Sequence, residues 1–459
     1  MASTYLTRTP SSTTNRRTFT LSYWVKFSDV NMSSAQRWFS AGNDGTGNLL
    51  KQEFFGGTST RTIALIDNNN NGTGVRLTTK REFRDGSSWY HIVYAVDTTQ
   101  ATASNRVKMY VNGEQNTDWY DSSTHAEYPD QNYDFNVNVS GQAMQFGRSF
   151  GFSSSSPDYF DGSMAHVHFI DGTAYAASTF GETDSTTGQW KPKTTPSVTY
   201  GTNGFFLKFA NSGSMGTDSS GNGNNFTVNG TLTQTQDTPS NVFCCLNPLK
   251  KHSGQTLSYL NLRNVGAGSA NIVGSTFAPS QGKWYFEFKL VSANAYAVFL
   301  YPQNLYQVGD DLFGSNYTTA IYATDPSLYR NGSNAGNLGG GVANNDIIQV
   351  AMDLDSNNIY FGKNGNWNDG LGGGFDQSDF SNATGHTLTR NSSFDEIGIA
   401  TLNGGSGSSY TLDWNFGNGY FGTTAVSSSN ADGAGLGLFE YAPPTGYYSL
   451  CTKNINTYG

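Results

Sequence analysis

Hydrophobic and polar residues alternate along much of this chain. The clearest case is the segment 19–27, in which one side of a predicted strand carries Phe19, Leu21, Tyr23, Val25 and Phe27. Alternation with a period of two is typical of a half-buried β-strand. The same pattern predicts further strands at 61–66, 75–79, 89–97, 107–111, 143–148, 163–170 and 203–209. A helical turn is expected only at 174–180, so the first half is predicted to be an all-β sandwich.

The two halves of the chain share one motif. In each half a strand is followed by a turn, a second strand and an Asn-Gly turn, at 89–97 with 107–113 and at 346–355 with 359–365. Asn-Gly between alternating segments is a strong hairpin signal. Other strands of the second half are expected at 257–261, 270–277, 282–290, 294–300, 318–323, 358–362, 396–402 and 409–416. The predicted fold class is all-β, with two β-sandwich domains of the jelly-roll type in tandem and loop-rich connections.

The predicted domain boundaries follow changes in composition. Residues 211–243 are rich in Gly, Ser, Thr and Asn, which favours a loop-rich end to a first domain spanning 1–243. We expect a linker at 244–256, a second domain at 257–425 and a C-terminal extension at 426–459.

Composition and charge exclude several classes of protein. The 459 residues are 13% charged and 14% aromatic, with a net charge of −9 at pH 7. A nucleic-acid binder needs a basic stripe, so none is expected as a partner. No segment approaches the ~20 apolar residues that span a bilayer, and the start of the chain lacks the apolar core of a signal peptide. Three cysteines, two of them adjacent, do not suggest a disulfide framework. The expectation is synthesis in a cytoplasm without membrane insertion.

Several segments carry a resemblance to known families. The first half resembles the laminin G-like, concanavalin A-type sandwich in its segments 19–27, 89–97, 107–113, 160–169, 207–209 and 218–225. The second half resembles a SPRY domain in its segments 282–287, 309–310, 346–355, 361–365 and 414–421. The combination, closing with Pro443-Pro-Thr-Gly-Tyr-Tyr-Ser-Leu-Cys-Thr452, resembles virion surface proteins of tailed bacteriophages, marine ones in particular.

That resemblance implies a function. It implies a non-enzymatic virion structural protein, such as a tail fibre, a tail appendage or a head decoration. The expected partners are other virion proteins, further copies of the same chain, and a host surface glycan or receptor. The expected location is the virion, after synthesis in the host cytoplasm. Head or tail location and the identity of the sugar stay open.

The alternative is a polysaccharide depolymerase that acts on host surface glycans. Glycoside hydrolysis needs two carboxyl groups on either side of the bond, and glucanases of this fold carry Glu-x-Asp-x-x-Glu on a strand. The nearest segment is Glu182-Thr-Asp184, which has Thr187 at the third position beyond Asp184. An enzyme would instead have to assemble its carboxylates from separate strands, drawing on Glu53, Asp97, Asp161 and Glu182. The sequence therefore favours a protein that is not an enzyme.

Aromatic residues in loops are the candidate contacts to a glycan or partner. Four tryptophans lie inside strand patterns and are predicted to be buried, namely Trp24, Trp89, Trp284 and Trp414. Exposed rings in loops stack on sugar faces or anchor interfaces. The candidates are Trp119, Tyr120, Tyr128, Tyr133 and Trp367. Packing of these rings against the sandwich rim is the alternative, and the sequence slightly favours it.

No cofactor is predicted, and a bound Ca²⁺ is the weaker hypothesis. Oxygen-rich loops at Asp67, Asp161 and Asp218 have the ligand type that Ca²⁺ takes. The sequence favours the alternative in which these side chains satisfy turn backbones. His166 and His168 lie two apart on a strand and share one face, but a zinc-like site needs a third ligand. They are expected on the outer side, with Ala165, Val167 and Phe169 toward the core.

Overall fold

The computed structural model describes residues 4–28, 30, 35–43, 47–55, 61–69, 72–120, 126–150, 157–267, 272–293, 296–302, 319–322, 326–330, 333–388, 396–403 and 409–459. The predicted motif at 309–310 and part of the oxygen-rich loop after Asp67, at 70–71, lie outside these residues. The chain forms two compact units, Met1–Gln234 and Thr235–Gly459. Among the described helices, none is long and apolar enough to cross a bilayer.

The strands of the first unit are short and follow one another closely. They are β1 Tyr5–Arg8, β2 Thr18–Phe27, β3 Gln36–Asn43, β4 Asn48–Phe55, β5 Thr62–Asn69, β6 Gly72–Thr78, β7 Tyr90–Asp97, β8 Val107–Val111, β9 Glu114–Asn116, β10 Ala126–Glu127, β11 Ala143–Phe146, β12 Arg148–Phe150, β13 Pro157–Tyr159, β14 Gly162–Asp171, β15 Gly181–Thr183, β16 Trp190–Pro192, β17 Phe205–Leu207 and β18 Thr227–Asn229. Single 3-10 turns occur at Ala103–Asn105, Ala177–Thr179 and Ser212–Ser214.

Two antiparallel sheets form the sandwich of the first unit. One has the order β10-β6-β5-β4-β3-β11-β1-β18 and the other has the order β17-β14-β2-β7-β8-β9. The core between them is aromatic: the rings of Tyr23 and Trp38 are 6.2 Å apart and those of Phe27 and Phe54 are 4.5 Å apart. The predicted inward face of β2 is therefore confirmed. No strand was expected at 36–55, where β3 and β4 lie.

The other face of β2 is also buried, because a third layer covers it. Thr20 Oγ1 donates to the carbonyl of Thr173 and accepts from the N–H of Tyr175, both at 2.7 Å. The segment after β14 continues across the sheet, and Ala177 and Phe180 pack with Val93. The predicted turn at 174–180 is the 3-10 turn Ala177–Thr179 within this layer.

The second unit has its own strands. They are β19 Leu246–Lys251, β20 Gln255–Ser258, β21 Arg263–Ala267, β22 Ile272–Ser275, β23 Lys283–Ala293, β24 Tyr296–Pro302, β25 Thr319–Tyr322, β26 Ser327–Arg330, β27 Ser333–Asn337, β28 Ile347–Asp353, β29 Asn358–Lys363, β30 Asn366–Asn368, β31 Phe375–Gln377, β32 His386–Thr387, β33 Ile397–Asn403, β34 Ser409–Asn415, β35 Tyr420–Phe421, β36 Thr424–Ala425 and β37 Tyr448–Ser449. A 3-10 turn lies at Phe380–Asn382, and one short helix, α1, spans Thr452–Tyr458.

These strands build a second sandwich. One sheet has the order β19-β22-β33-β24-β25-β26-β27, and the other follows β20-β21-β34-β23-β28-β29-β30-β31 with β32 and β37 added. Its core contains Trp284, Phe286 and Trp414. The Asn-Gly turns have the same backbone in both units, with φ of 49° and 87° at Asn112-Gly113 and 50° and 94° at Asn364-Gly365. The predicted all-β fold class is thus confirmed.

Two predicted boundaries of the second unit need correction. Residues 244–256, expected to be a linker, contain β19, which pairs with β22 in the sheet. The extension at 426–459 is integrated into the unit, because β37 pairs in parallel with β23. The Cys244 N–H donates to the carbonyl of Leu450 at 2.8 Å, and the Thr452 N–H donates to that of Val242 at 2.9 Å. The two ends of the second unit are therefore hydrogen-bonded to each other.

Two buried carboxylates hold this C-terminal segment. Glu287 accepts hydrogen bonds from the backbone N–H groups of Glu440 and Tyr441, at 3.0 and 2.8 Å. Asp432 accepts from the N–H and the hydroxyl of Ser449 and from Nδ2 of Asn454, each at 2.8 Å. Burial raises the pKa of Glu287 to about 7, since its charged form is cut off from water.

Candidate functional site

A polar cleft lies in the first unit where β4 begins and β5 ends. The antiparallel pairing of Leu49 with Asn68 brings these two strand ends to the same edge of the sheet. The segment between β10 and β11 and the residues before β2 complete the walls. The cleft has a volume of about 460 Å³ and is lined by Arg16, Asn48, Asn69, Tyr133, Asp134, Asn136, Val139 and Gln142. We call this set the polar cleft.

Backbone pairing between two loops fixes one wall of the polar cleft. The N–H of Phe135 donates to the carbonyl of Arg16 at 3.2 Å, and the N–H of Thr14 donates to that of Asn138 at 3.1 Å. Phe135 and Val137 are fully buried in the core, so the residues between them stay at the sandwich rim. Asn136, between them, is turned toward the cleft lining, and Tyr133, whose ring packs edge-on against Phe135, lines the cleft before this stretch.

A buried carboxylate lies behind this wall. The two oxygens of Asp67 accept hydrogen bonds from Asn136, Oδ2 from the backbone N–H at 3.1 Å and Oδ1 from Nδ2 at 2.6 Å. Asp67 is 0% exposed, and burial raises its pKa to about 7 despite these bonds and the nearby charge of Arg16. Burial, and then the Asp67 charge, also raise the pKa of Tyr133. Asp67 therefore holds Asn136 in position from the buried side of the wall.

Two polar atoms of the lining are shielded by the surrounding protein, the Oε1 of Gln142 and the hydroxyl of Tyr133. The Tyr133 hydroxyl interacts with the carboxylate of Asp67 and lies against Gly74, where an added Cβ would be only 2.4 Å from it. Oε1 of Gln142 has no hydrogen bond to any described residue. Buried polar atoms are almost always paired in folded proteins, so Gln142 is the residue of this pair whose side-chain oxygen still lacks a partner among the described residues.

The two charged residues of the lining have different surroundings. Asp134 forms a two-point ion pair with Arg17, with Nε to Oδ1 at 2.8 Å and Nη2 to Oδ2 at 3.3 Å. Arg16 donates only to backbone carbonyls, from Nε to Phe135 at 2.8 Å and from Nη2 to Asp134 at 3.2 Å. The cleft therefore offers amides, one phenol and a guanidinium, which suit a hydroxylated ligand.

The predicted aromatic contacts are spread over different surroundings. Tyr133 lines the polar cleft, and Tyr120 is 38% exposed. Trp119 follows the alternative of packing against the sandwich, because its backbone pairs with Thr79 and its ring is buried, with Nε1 donating to the hydroxyl of Tyr128 at 2.8 Å. Trp367 is also buried, against the ring of Phe380 at 4.8 Å. Neither tryptophan presents an open ring face.

The predicted calcium ligands do not come together. Asp67 uses both oxygens on Asn136, as described above. Asp218 accepts from the N–H groups of Phe206, Ser220 and Asn224, which makes it the organiser of a turn. Asp161 donates its N–H to Oε1 of Gln36. In the part of the chain that is described, no three His, Cys, Asp or Glu side chains are grouped to hold a metal. Asp67 and Asp218 therefore do not fit Ca²⁺.

The paired histidines face the third layer of the first unit. His168 is buried, with Nδ1 2.9 Å from the hydroxyl of Tyr200, and its ring is 3.9 Å from that of Phe206. A register shift between Ala165 and His168 interrupts the alternation, and His166 adopts a φ of 46°. Burial lowers the pKa of His166 to about 4, so its ring is neutral at pH 7. Val167 and Phe169 face the core as expected. The expectation for Ala165 is wrong, because the register shift puts its neighbour Met164 against the core instead.

A serine–histidine contact that the sequence did not predict lies beneath this layer. His91 Nε2 is 2.9 Å from Oγ of Ser22, and Nδ1 accepts from Nε1 of Trp190 at 2.9 Å. An indole N–H only donates, so the proton of His91 must be on Nε2. That proton points at Ser22, which leaves His91 unable to act as a base toward the serine. Burial lowers the pKa of His91 to about 3, and the contact is structural.

The carboxylates considered for hydrolysis have separate partners. Glu53 is buried and ion-paired with Arg37 and Lys51, at 2.7 and 3.2 Å. Asp97 ends β7 in the other sheet and accepts from Thr99 and Gln100. In the β15–β16 hairpin, Asp184 and Glu182 both face Lys191, and Asp184 also caps the N–H groups of Thr186 and Thr187.

Comparison with known proteins agrees with this fold. Residues 2–179 match the laminin G family model described as the concanavalin A-like lectin/glucanases superfamily. The SPRY domain of human HERC1 is 15% identical, with a TM-score of 0.29 over 37% of this chain and 96% of that one. The TRIM65 PSpry domain is 14% identical, with a TM-score of 0.26 over 38% and 91%. A heptameric SAP-like pentraxin from Limulus polyphemus is 15% identical, with a TM-score of 0.27 over 38% and 72%.

No curated protein matches this sequence significantly. Residues 2–179 are similar to the concanavalin A-like lectin/glucanases superfamily, a match that covers less than half of the chain.

Proposed function

We propose that this protein is a non-enzymatic surface component of a bacteriophage particle and that its first unit binds a saccharide in the polar cleft. The observation that carries the binding proposal is the set of four amide side chains around one cleft, those of Asn48, Asn69, Asn136 and Gln142. A sugar hydroxyl both donates and accepts, as an amide does, so the two groups can pair in either direction.

The size and chemistry of the polar cleft support the same ligand class. Its volume of about 460 Å³ falls within the roughly 300–1,000 Å³ of small-molecule sites. Asn48, Asn69, Asn136 and Gln142 supply amide groups, each of which both donates and accepts. Tyr133 adds the single aromatic ring of the lining.

A glycan array with the full-length protein tests the binding proposal. Gln142→Ala and Asn69→Ala each remove one amide of the lining, so each should weaken binding about tenfold, the equivalent of one hydrogen bond. Gln115→Ala removes a comparable amide from the exposed strand β9, outside the cleft lining, and should bind as the wild type does. Equal binding by all four proteins, or no binding to any glycan, refutes the saccharide site.

The proposed virion role rests on the family resemblance of the combined domains. The expected partners are other virion proteins and further copies of the chain, since surface fibres and decorations are commonly symmetric oligomers. Mass spectrometry of purified particles should detect the chain, and light scattering should give a defined oligomer. Recovery of the chain only as a soluble host-cell protein contradicts this part of the proposal.

The absence of catalysis belongs to the same proposal. The protein should release no reducing ends from any polysaccharide that it binds. Measurable release, lost on replacing a single carboxylate, would make the protein a depolymerase instead.

A further inference from the structure

The guanidinium of Arg16 lines the polar cleft without a direct ion pair among the described residues. Its two hydrogen bonds go to the backbone carbonyls of Phe135 and Asp134. The carboxylate of Asp134, the acid in the lining, is already paired with Arg17 through both of its oxygens. The charge of Arg16 favours the ionised forms of Asp134 and of the buried Asp67, but neither carboxylate binds the guanidinium directly.

The hydrogen bonds of Arg16 leave a defined edge of the guanidinium unused. A guanidinium has five N–H groups in a planar fork. Nε and Nη2 lie along one side of the fork, and this is the side that binds the two carbonyls. The remaining edge, formed by Nη1 and the second N–H of Nη2, presents two nearly parallel donors. That spacing matches the two oxygens of a carboxylate.

The Nη1–Nη2 edge of Arg16 is held in place before any ligand binds. The carbonyls that hold it belong to the wall segment that also pairs with the backbone of Arg16, at 3.2 Å. Asn136 in the same wall is held from behind by Asp67. A fixed donor pair loses little side-chain entropy on binding, so an anionic group gains more from it than from a mobile surface lysine.

From these contacts we propose that the polar cleft selects a saccharide bearing a carboxylate, such as a uronic acid residue. The carboxylate binds the Nη1–Nη2 edge of Arg16, and the amides of Gln142 and Asn69 bind ring hydroxyls. This inference rests on the proposed saccharide site and adds the charge of the sugar that the site takes.

Calorimetry with the full-length protein separates the two claims. The probes are a galacturonate tetramer and its methyl ester, which has the same rings without the charge. The acid should bind at least about tenfold more tightly, because a charge-assisted bond contributes more than a neutral one. Arg16→Gln should remove this preference, so that acid and ester bind with equal affinity. Arg84→Gln removes an exposed arginine outside the lining and should keep the preference.

Each outcome decides one claim. Equal affinity for acid and ester in the wild type overturns the carboxylate assignment while the saccharide site stands. Failure of both tetramers and of every neutral glycan refutes the site itself. Equal or tighter binding of a sulfated neutral tetramer also overturns the assignment, because sulfate is a tetrahedral anion without the planar match. If Arg16→Gln misfolds, Arg16→Lys keeps the charge and should bind the acid with reduced preference.

Discussion

The buried carboxylate behind the polar cleft should make the stability of the first unit depend on pH. Burial raises the pKa of Asp67 from 3.8 to about 7. The folded protein therefore holds this proton more tightly than the unfolded chain does. As the pH rises from 4 to 7 the unfolded chain releases the proton first, so the free energy of unfolding falls. Three pKa units correspond to about 4 kcal/mol.

Asp67→Asn removes this titration and changes little else in shape. The amide nitrogen cannot accept the second hydrogen bond from Asn136, which costs about 1–3 kcal/mol at every pH. At pH 5, where Asp67 is neutral in the folded state, the variant should be less stable than the wild type. At pH 8, where the wild type carries the buried charge, the variant should be equally stable or more stable. The two stability curves should therefore cross between these values.

Hydrogen exchange of peptides covering β5, combined with calorimetry of the full chain, measures the crossing. Glu287→Gln is a matched control, because the pKa of Glu287 is also raised to about 7 but in the second unit. Its effect should appear in peptides from β23 and leave those from β5 unchanged. If the curves of wild type and Asp67→Asn stay parallel from pH 4 to pH 8, the reasoning on Asp67 fails.

Three further substitutions follow from the structure. Gly74→Ala places a Cβ 2.4 Å from the hydroxyl of Tyr133, so saccharide affinity measured by calorimetry should fall about tenfold. Asp432→Ala removes a carboxylate that accepts five hydrogen bonds, so unfolding in urea should need about 3 kcal/mol less and limited proteolysis should cut the C-terminal segment. Gly113→Ala forces an L side chain into a φ of 87° and against Trp190 at 2.8 Å, so it should destabilise the first unit by more than the ~1 kcal/mol of such a backbone alone.

Each of these variants has a control in the same chain. Gly433→Ala is the control for Gly74→Ala. Its added Cβ would meet only a ring carbon of Tyr448 at 3.6 Å, so saccharide binding should be unchanged. Asp376→Ala is the control for Asp432→Ala. It removes an exposed carboxylate that is hydrogen-bonded to the adjacent Gln377, so the free energy of unfolding should equal that of the wild type within experimental error. Gly141→Ala has a φ of 76° with nothing within 4 Å, so it isolates backbone strain from the collision with Trp190. A variant that behaves like its control contradicts the corresponding contact.

Sequence patterns predicted the framework of both sandwiches because that framework depends on local alternation. The inward face of β2 and the paired Asn-Gly turns both follow from spacing along one segment. The sequence did not predict the strands β3 and β4, because their outer faces carry Arg37, Lys51 and Glu53, which are buried together as ion pairs. Charged residues normally indicate exposure, so a buried charge cluster obscures the strand pattern.

The polar cleft could not be predicted from any one segment. Its walls come from residues near 16, 48, 69 and 133–142, which only the pairing of strands and loops brings together. Each asparagine alone is typical of a turn, and that prediction holds for the turn that Asp218 organises. Tyr133 was singled out for its ring, whereas its hydroxyl interacts with the buried Asp67 and lies against Gly74.

The pairing of the beginning and end of the second unit has a mechanical consequence. The hydrogen bonds from Cys244 to Leu450 and from Thr452 to Val242 bring the points where the chain enters and leaves close together. Such a module can be inserted into a surface loop of an unrelated scaffold, since the host loop need not stretch to accommodate it. A pulling force applied to the two ends of this unit would break these hydrogen bonds one after another before it loaded the sheets.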